Sequence, residues 1–165
     1  MKDMGLFNNL FKKESGISIG APLAGKCVSI KEVPDPTFAD EILGKGVAVI
    51  PTDGKLYAPA DGVISTLFPT GHAVAITTED GAEILIHVGL ETVSLEGKAF
   101  TVHTQMDAKV KKGDLLLEAD LKAIQEAGLK IITPVVICNA DEFSKVEGMT
   151  DKDVAPGDEI LKLQK

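Results

Sequence analysis

No apolar run in this chain approaches the ~20 residues that span a bilayer, so none of it is expected to cross a membrane as a helix. Its start, MKDMGLFNNLFKKES, lacks the apolar core and small-residue cleavage site of a secretory leader, and no leader is expected. Basic charge is also short: 17 Lys and Arg stand against 25 Asp and Glu, for a net charge of −8. Without a basic stripe to neutralise phosphates, the chain is not expected to bind nucleic acid. The acidic excess suits an encounter with a basic protein surface; a plain solvated surface is the bland alternative. Only two cysteines occur, Cys27 and Cys138, in no CxxC pattern. Two reduced, buried thiols in a cytosolic protein are the economical reading. HExxH, HxH and GxSxG are missing too, which leaves a zinc enzyme without ligands and a Ser-His-Asp hydrolase without its elbow.

What is present is length for one domain, 165 residues, enough to bury a self-sufficient core. Residues 1–16 stand apart: Leu6, Phe7, Leu10 and Phe11 recur with a roughly helical period beside Lys2, Lys12 and Lys13. This is either a short amphipathic segment suited to an anionic membrane surface or a frayed tail, and 17–165 is the domain. From residue 17 the apolar period is mostly two, in short runs cut by Gly, Pro and Asp. Strands are expected at 18–22, 26–29, 47–50, 55–58, 62–68, 73–77, 83–87, 115–119, 135–139 and 159–163. Asp120 to Gly128 reads as a helix, with Asp120 as N-cap and Gly128 as stop, and 38–46 as a single helical turn. APLAGKCVSI (21–30) echoes APADGVISTL (58–67), and VKKGDLLLEAD (110–120) echoes VAPGDEILKL (154–163). The expectation is all-β: a compact antiparallel β-sandwich or barrel with two interlocked halves and one or two short helices.

Two histidines bracket the run HAVAITTEDGAEILIHVG, from His72 to Gly89. Asp80-Gly81 is the strongest two-residue hairpin signal in the chain. With that loop, Val74 faces His87, and His72 shares a face with Val74. The imidazoles then become diagonal cross-strand neighbours, roughly 7–8 Å apart at the backbone; a three-residue loop would flip the parity and part them. The turn Phe68-Pro69-Thr70-Gly71 is expected to expose His72 and to set the Thr70 hydroxyl within its reach. Only His103 is left as a third histidine, in a loop-like stretch, so an intrinsic metal site is not expected. A neutral imidazole nitrogen is a good nucleophile near pH 7, and its phosphoramidate is reversible. A second imidazole can donate a hydrogen bond to the moving phosphoryl group. The pair fits a phosphoryl carrier.

These residues resemble a known family. HAVAI and GAEILIHVGLETVSLEGKAF, with VPDPTFADEILGKGVAVIPT upstream and TPVVICNADE downstream, are similar to the glucose-type IIA proteins of the bacterial phosphoenolpyruvate:sugar phosphotransferase system, from about residue 17 onward. The resemblance implies a duplicated β-sandwich and a cytoplasmic phosphotransferase component, peripheral at the membrane if residues 1–16 bind lipid. His87 would be phosphorylated on Nε2, taking the group from the carrier protein HPr and passing it to a cysteine of the sugar-specific IIB domain. His72 would assist and Thr70 would orient it. The Gly89 carbonyl would hold Nδ1–H of His87. Asp35, Glu91 and Asp141 would flank the site and meet HPr, while Phe38, Ile42 and Val88 would form the apolar docking rim. No cofactor is implied, and zinc at His72 and His87 would be adventitious or shared with a partner. Sugar would bind the membrane IIC domain rather than this chain, in keeping with six Phe, one Tyr and no Trp.

Two other classes compete. A lipoyl or biotinyl carrier would need a modified Lys at a hairpin tip; Lys55 lies only four residues before Pro59 and has no Met beside it. A zinc hydrolase on a related duplicated β-fold would need HxxxD plus HxH, and neither half is present.

Overall fold

A computed structural model describes residues 16–165, so the amphipathic or frayed reading of residues 1–16 lies almost wholly outside the described residues. In chain order the strands are β1 (Ile17–Gly20), β2 (Gly25–Ser29), β3 (Lys45–Pro51), β4 (Lys55–Tyr57), β5 (Gly62–Leu67), β6 (Ala73–Thr78), β7 (Glu83–His87), β8 (Phe100–Val102), β9 (Lys109–Val110), β10 (Leu115–Ala119), β11 (Thr133–Ile137), β12 (Lys145–Gly148), β13 (Lys152–Val154) and β14 (Glu159–Gln164). An eight-stranded antiparallel sheet runs β13-β2-β3-β11-β7-β6-β5-β9 and stays open at its ends; β1-β14-β12 and β4-β10-β8 make two three-stranded sheets. The fold is the expected antiparallel sandwich, with no closed barrel. β8, β9, β12 and β13 are only two to four residues long and were not expected as strands. They form because a neighbouring strand offers them a free hydrogen-bonding edge.

Alternation explains the centre of the large sheet. On β11, Val135 and Ile137 enter the main core, while Val136 between them joins a second cluster with Val28, Phe38, Leu90 and Ile132. Successive side chains point to opposite faces, and segment 30–39 covers the face that would otherwise meet water. β11 therefore reads as an unbroken apolar run, as strands buried on both faces do.

The sequence echoes correspond to one hydrogen-bond pattern used twice. Ala21 N–H donates to the Asp158 carbonyl (2.7 Å) and Gly157 N–H to Ala21 (2.9 Å); Ala58 N–H donates to Asp114 (2.8 Å) and Gly113 N–H to Ala58 (2.9 Å). The two Ala-Pro hooks also clasp each other, Gly20 N–H on the Pro59 carbonyl (2.9 Å) and Tyr57 N–H on Pro22 (2.8 Å). Each Gly-Asp turn is closed by its own carboxylate: Asp114 accepts from Lys111 N–H (2.8 Å) and Asp158 from Ala155 N–H (2.9 Å).

Two short α-helices complete the described residues. α1 (Pro36–Ala39) starts two residues before the expected turn at 38–46 and shares only residues 38 and 39 with it, because the Asp35 carboxylate caps Thr37 N–H (3.0 Å) and Pro36 presets the first helical φ. α2 (Leu121–Glu126) is capped as expected by Asp120, which accepts from Ala123 N–H at 3.0 Å, and chain reversal follows at Gly128, φ +83°.

Candidate functional site

The hairpin β6–β7 builds the site, but its loop has three residues, not two. Ala73 pairs with His87 and Thr77 with Glu83, and Thr78 N–H donates to the Ala82 carbonyl at 2.8 Å around Glu79-Asp80-Gly81. Asn139 sets this register from outside the hairpin, accepting from Glu83 N–H (2.9 Å) and donating to the Gly81 carbonyl (2.8 Å). A two-residue count had no access to that clamp. Strict alternation would now separate the histidines, yet their ring centroids lie 5.1 Å apart at 78°. His72 escapes the parity rule because it precedes β6, at the exit of a turn in which Gly71 takes φ +77°. There the main chain is held by Val88 N–H on the His72 carbonyl (2.7 Å), and the side chain is free to swing toward β7.

Each imidazole is fixed differently. His87 Nδ1 donates to the Gly89 carbonyl at 2.7 Å; a carbonyl only accepts, so neutral His87 carries its lone pair on Nε2. His72 Nδ1 is hydrogen-bonded to the Thr70 hydroxyl. Each ring also meets a phenylalanine: Phe38 lies 5.3 Å from His87 and Phe68 5.2 Å from His72, centroid to centroid. These two rings come from the β2–β3 and β5–β6 connections, which the duplication makes counterparts. Phe68 was overlooked in the sequence, although an aromatic at the mouth of the Pro-Thr-Gly-His turn was its signal. Burial pulls both imidazoles below their usual 6.5, most of all by desolvation; for His72 the charge of His87 adds to it, while for His87 the Gly89 carbonyl and Asp35 oppose it. Both rings are therefore neutral at pH 7.

Several expected positions differ. His72 is 5 % exposed, not open, because Phe68 stacks edge-on against it. Val88 is fully buried and cannot serve as docking rim: its side chain points into the main core. Phe38 is also nearly buried, as a cover over His87 rather than a projecting contact. Of the three apolar rim residues only Ile42, 69 % exposed, faces solvent. It lines a groove of about 600 Å³ with Asp40, Glu41, Leu43, Cys138 and Asp141, which is where Asp141 lies. Cys138 is exposed at that groove, unlike the buried Cys27. Glu91 is exposed with φ +59°. His103 is apart from the pair, with Nε2 2.7 Å from Glu118. Among the described residues no three His, Cys, Asp or Glu side chains converge as metal ligands, and no helix is long and apolar enough to cross a membrane.

Residues 17–143 match the family model for the phosphoenolpyruvate-dependent sugar phosphotransferase system, EIIA 1. The chain belongs to this family. As an EIIA it is a phosphocarrier component of a phosphoenolpyruvate-dependent sugar phosphotransferase system. It is 41 % identical over 163 residues to the glucose-specific EIIA component of Oceanobacillus iheyensis, covering 96 % of this chain and 99 % of that one. It is similar as well to the glucose-specific EIIA component of Haemophilus influenzae, at 39 % over 166 residues and 98 % and 100 % of the two chains. The β-glucoside-specific EIIBCA component of Halalkalibacterium halodurans is 45 % identical over 146 residues, which are 88 % of this chain and 23 % of that protein. This chain thus spans less than a quarter of the EIIBCA relatives it matches. Among solved structures, glucose permease IIA from Mycoplasma capricolum superposes with a TM-score of 0.81 at 34 % identity, covering 89 % of this chain and 95 % of that one. The competing classes gain nothing: Lys55 sits in a ladder with Glu118 at the start of β4, not at a hairpin tip, and among the described residues no third ligand joins the two histidines of this EIIA.

Proposed function

We propose that this EIIA carries its phosphoryl group on His87 Nε2, receiving it from phosphohistidine on HPr and giving it to a cysteine of IIB. In the first step a P–N bond to the HPr imidazole breaks as one to Nε2 forms. In the second, the IIB thiolate attacks phosphorus and the electron pair of the P–N bond returns to Nε2. The observation that carries this reading is the 2.7 Å hydrogen bond from His87 Nδ1 to the Gly89 carbonyl, which directs the lone pair to the other nitrogen. The Thr70 hydroxyl is hydrogen-bonded to His72 Nδ1; with Thr70 as the donor, the second imidazole is an Nε2–H donor, ready to stabilise charge on the phosphoryl oxygens. Asp35, Glu91 and Asp141 supply negative charge toward a basic partner, and Ile42 supplies the exposed apolar contact. The domain formed by residues 17–165 acts in the cytoplasm and binds no sugar itself.

Incubation with phospho-HPr tests this. His87→Ala is expected to accept no acid-labile phosphate, while His72→Gln accepts it but passes it to IIB slowly. Labelling of His87→Ala, or wild-type transfer by His72→Gln, overturns the respective role.

A further inference from the structure

His87 ends β7, and the four residues after it must leave the sheet while keeping the Gly89 carbonyl on Nδ1. They do so through two left-handed residues, Gly89 at φ +71° and Glu91 at φ +59°, a path that a free chain does not favour. Two fully buried hydroxyls hold it. Thr92 Oγ1 donates to the Val88 carbonyl at 2.5 Å, and Thr133 Oγ1, which donates to the Ile131 carbonyl at 2.9 Å, accepts from Gly89 N–H at 3.4 Å. The peptide between Val88 and Gly89 is thereby gripped at its oxygen and at its nitrogen. The next peptide is gripped the same way: its carbonyl, that of Gly89, accepts from His87, and its N–H, on Leu90, donates to the Lys130 carbonyl at 3.0 Å. The Thr92 methyl also packs so closely under Gly89 that a Cβ there would lie 2.7 Å from it.

We infer that Thr92, with Thr133 behind it, is a positioning residue for phosphoryl transfer: its hydroxyl fixes the peptide that aims the Gly89 carbonyl, and so selects the His87 tautomer with Nε2 free. This rests on the reading of His87 as the phosphorylated residue. The residue touches no reacting atom and acts through the main chain alone. Valine keeps the packing and deletes the hydroxyl; serine keeps the hydroxyl.

The tautomer is read in the full, unphosphorylated chain from the nitrogen NMR shifts of the His87 ring, and transfer from the rate of labelling by phospho-HPr. For Thr92→Val, the expected result is a shift of the ring toward the Nε2–H form and a labelling rate about ten- to a hundred-fold lower. Thr92→Ser restores both toward wild type. A folded Thr92→Val with wild-type His87 shifts overturns the inference, whatever its melting temperature. Should Thr92→Val not fold, Thr133→Val decides by the same shifts: movement in the same direction supports the clamp, and unchanged shifts overturn it. Labelling of His87→Ala would instead remove the underlying reading of the site, so the two failures are distinct.

Discussion

Replacing Gly89 by alanine should cost this EIIA both stability and phosphate acceptance, and the structure allows the stability part to be worked out. Gly89 holds φ +71°, where an L-residue pays about 1–2 kcal/mol, partly offset by ~0.4–1 kcal/mol because alanine restricts the unfolded chain. The added Cβ would also sit 2.7 Å from the Lys130 carbonyl oxygen and 2.7 Å from the Thr92 methyl. Neither neighbour yields easily: the Lys130 oxygen is the acceptor for Leu90 N–H, and Thr92 is fully buried. Overpacking of this kind adds ~1–3 kcal/mol, for a total of about 2–4 kcal/mol, within what a domain stable by ~5–15 kcal/mol survives. Gly128→Ala is the control. That residue is also left-handed, φ +83°, but a Cβ there meets nothing within 4 Å, so about 1 kcal/mol or less is expected. Urea unfolding at constant m measures both. Equal losses in the two variants would refute the steric half of the reasoning, and wild-type labelling of Gly89→Ala by phospho-HPr would refute the claim that the Gly89 carbonyl positions His87.

The pH dependence of stability follows from the lowered affinities of His72 and His87 for protons, caused first by burial. Below their ordinary 6.5 the unfolded chain binds protons that the folded one refuses, so stability should fall as pH drops through 6.5 and level off above about 7. Melts of wild type and of the His72→Gln, His87→Gln double variant between pH 5.5 and 7.5 test this; equal slopes would contradict it. Asn139→Ala removes both bonds to the three-residue loop, to Glu83 N–H and the Gly81 carbonyl, and should cost ~1–3 kcal/mol in urea unfolding; a loss under ~0.5 kcal/mol would deny the clamp. Ile42→Asp, at a side chain 69 % exposed, should leave stability within ~0.5 kcal/mol while raising the KM for phospho-HPr, and an unchanged KM would remove Ile42 from the docking surface.

Much of the fold was legible because its causes are local. Alternation marked the long strands, Asp120 and Gly128 bounded α2, and the twin Ala-Pro and Gly-Asp turns announced the duplication that the main-chain bonds at Ala21 and Ala58 display. The short strands β8, β9, β12 and β13 were not legible, since their partners rather than their own residues make them strands.

The same division runs through the site. The chain alone determined that two histidines would stand at glycine-bordered ends of one hairpin, with a hydroxyl beside the first and a carbonyl two residues past the second, because covalent spacing and turn chemistry suffice for that. Only the tertiary structure decided the hairpin's parity, through Asn139 just past the end of β11, the inward turn of Val88, and the covering of the imidazoles by Phe38 and Phe68. Burial and neutral charge on a histidine depend on what other segments pack against it, and that contact is made by residues distant in sequence.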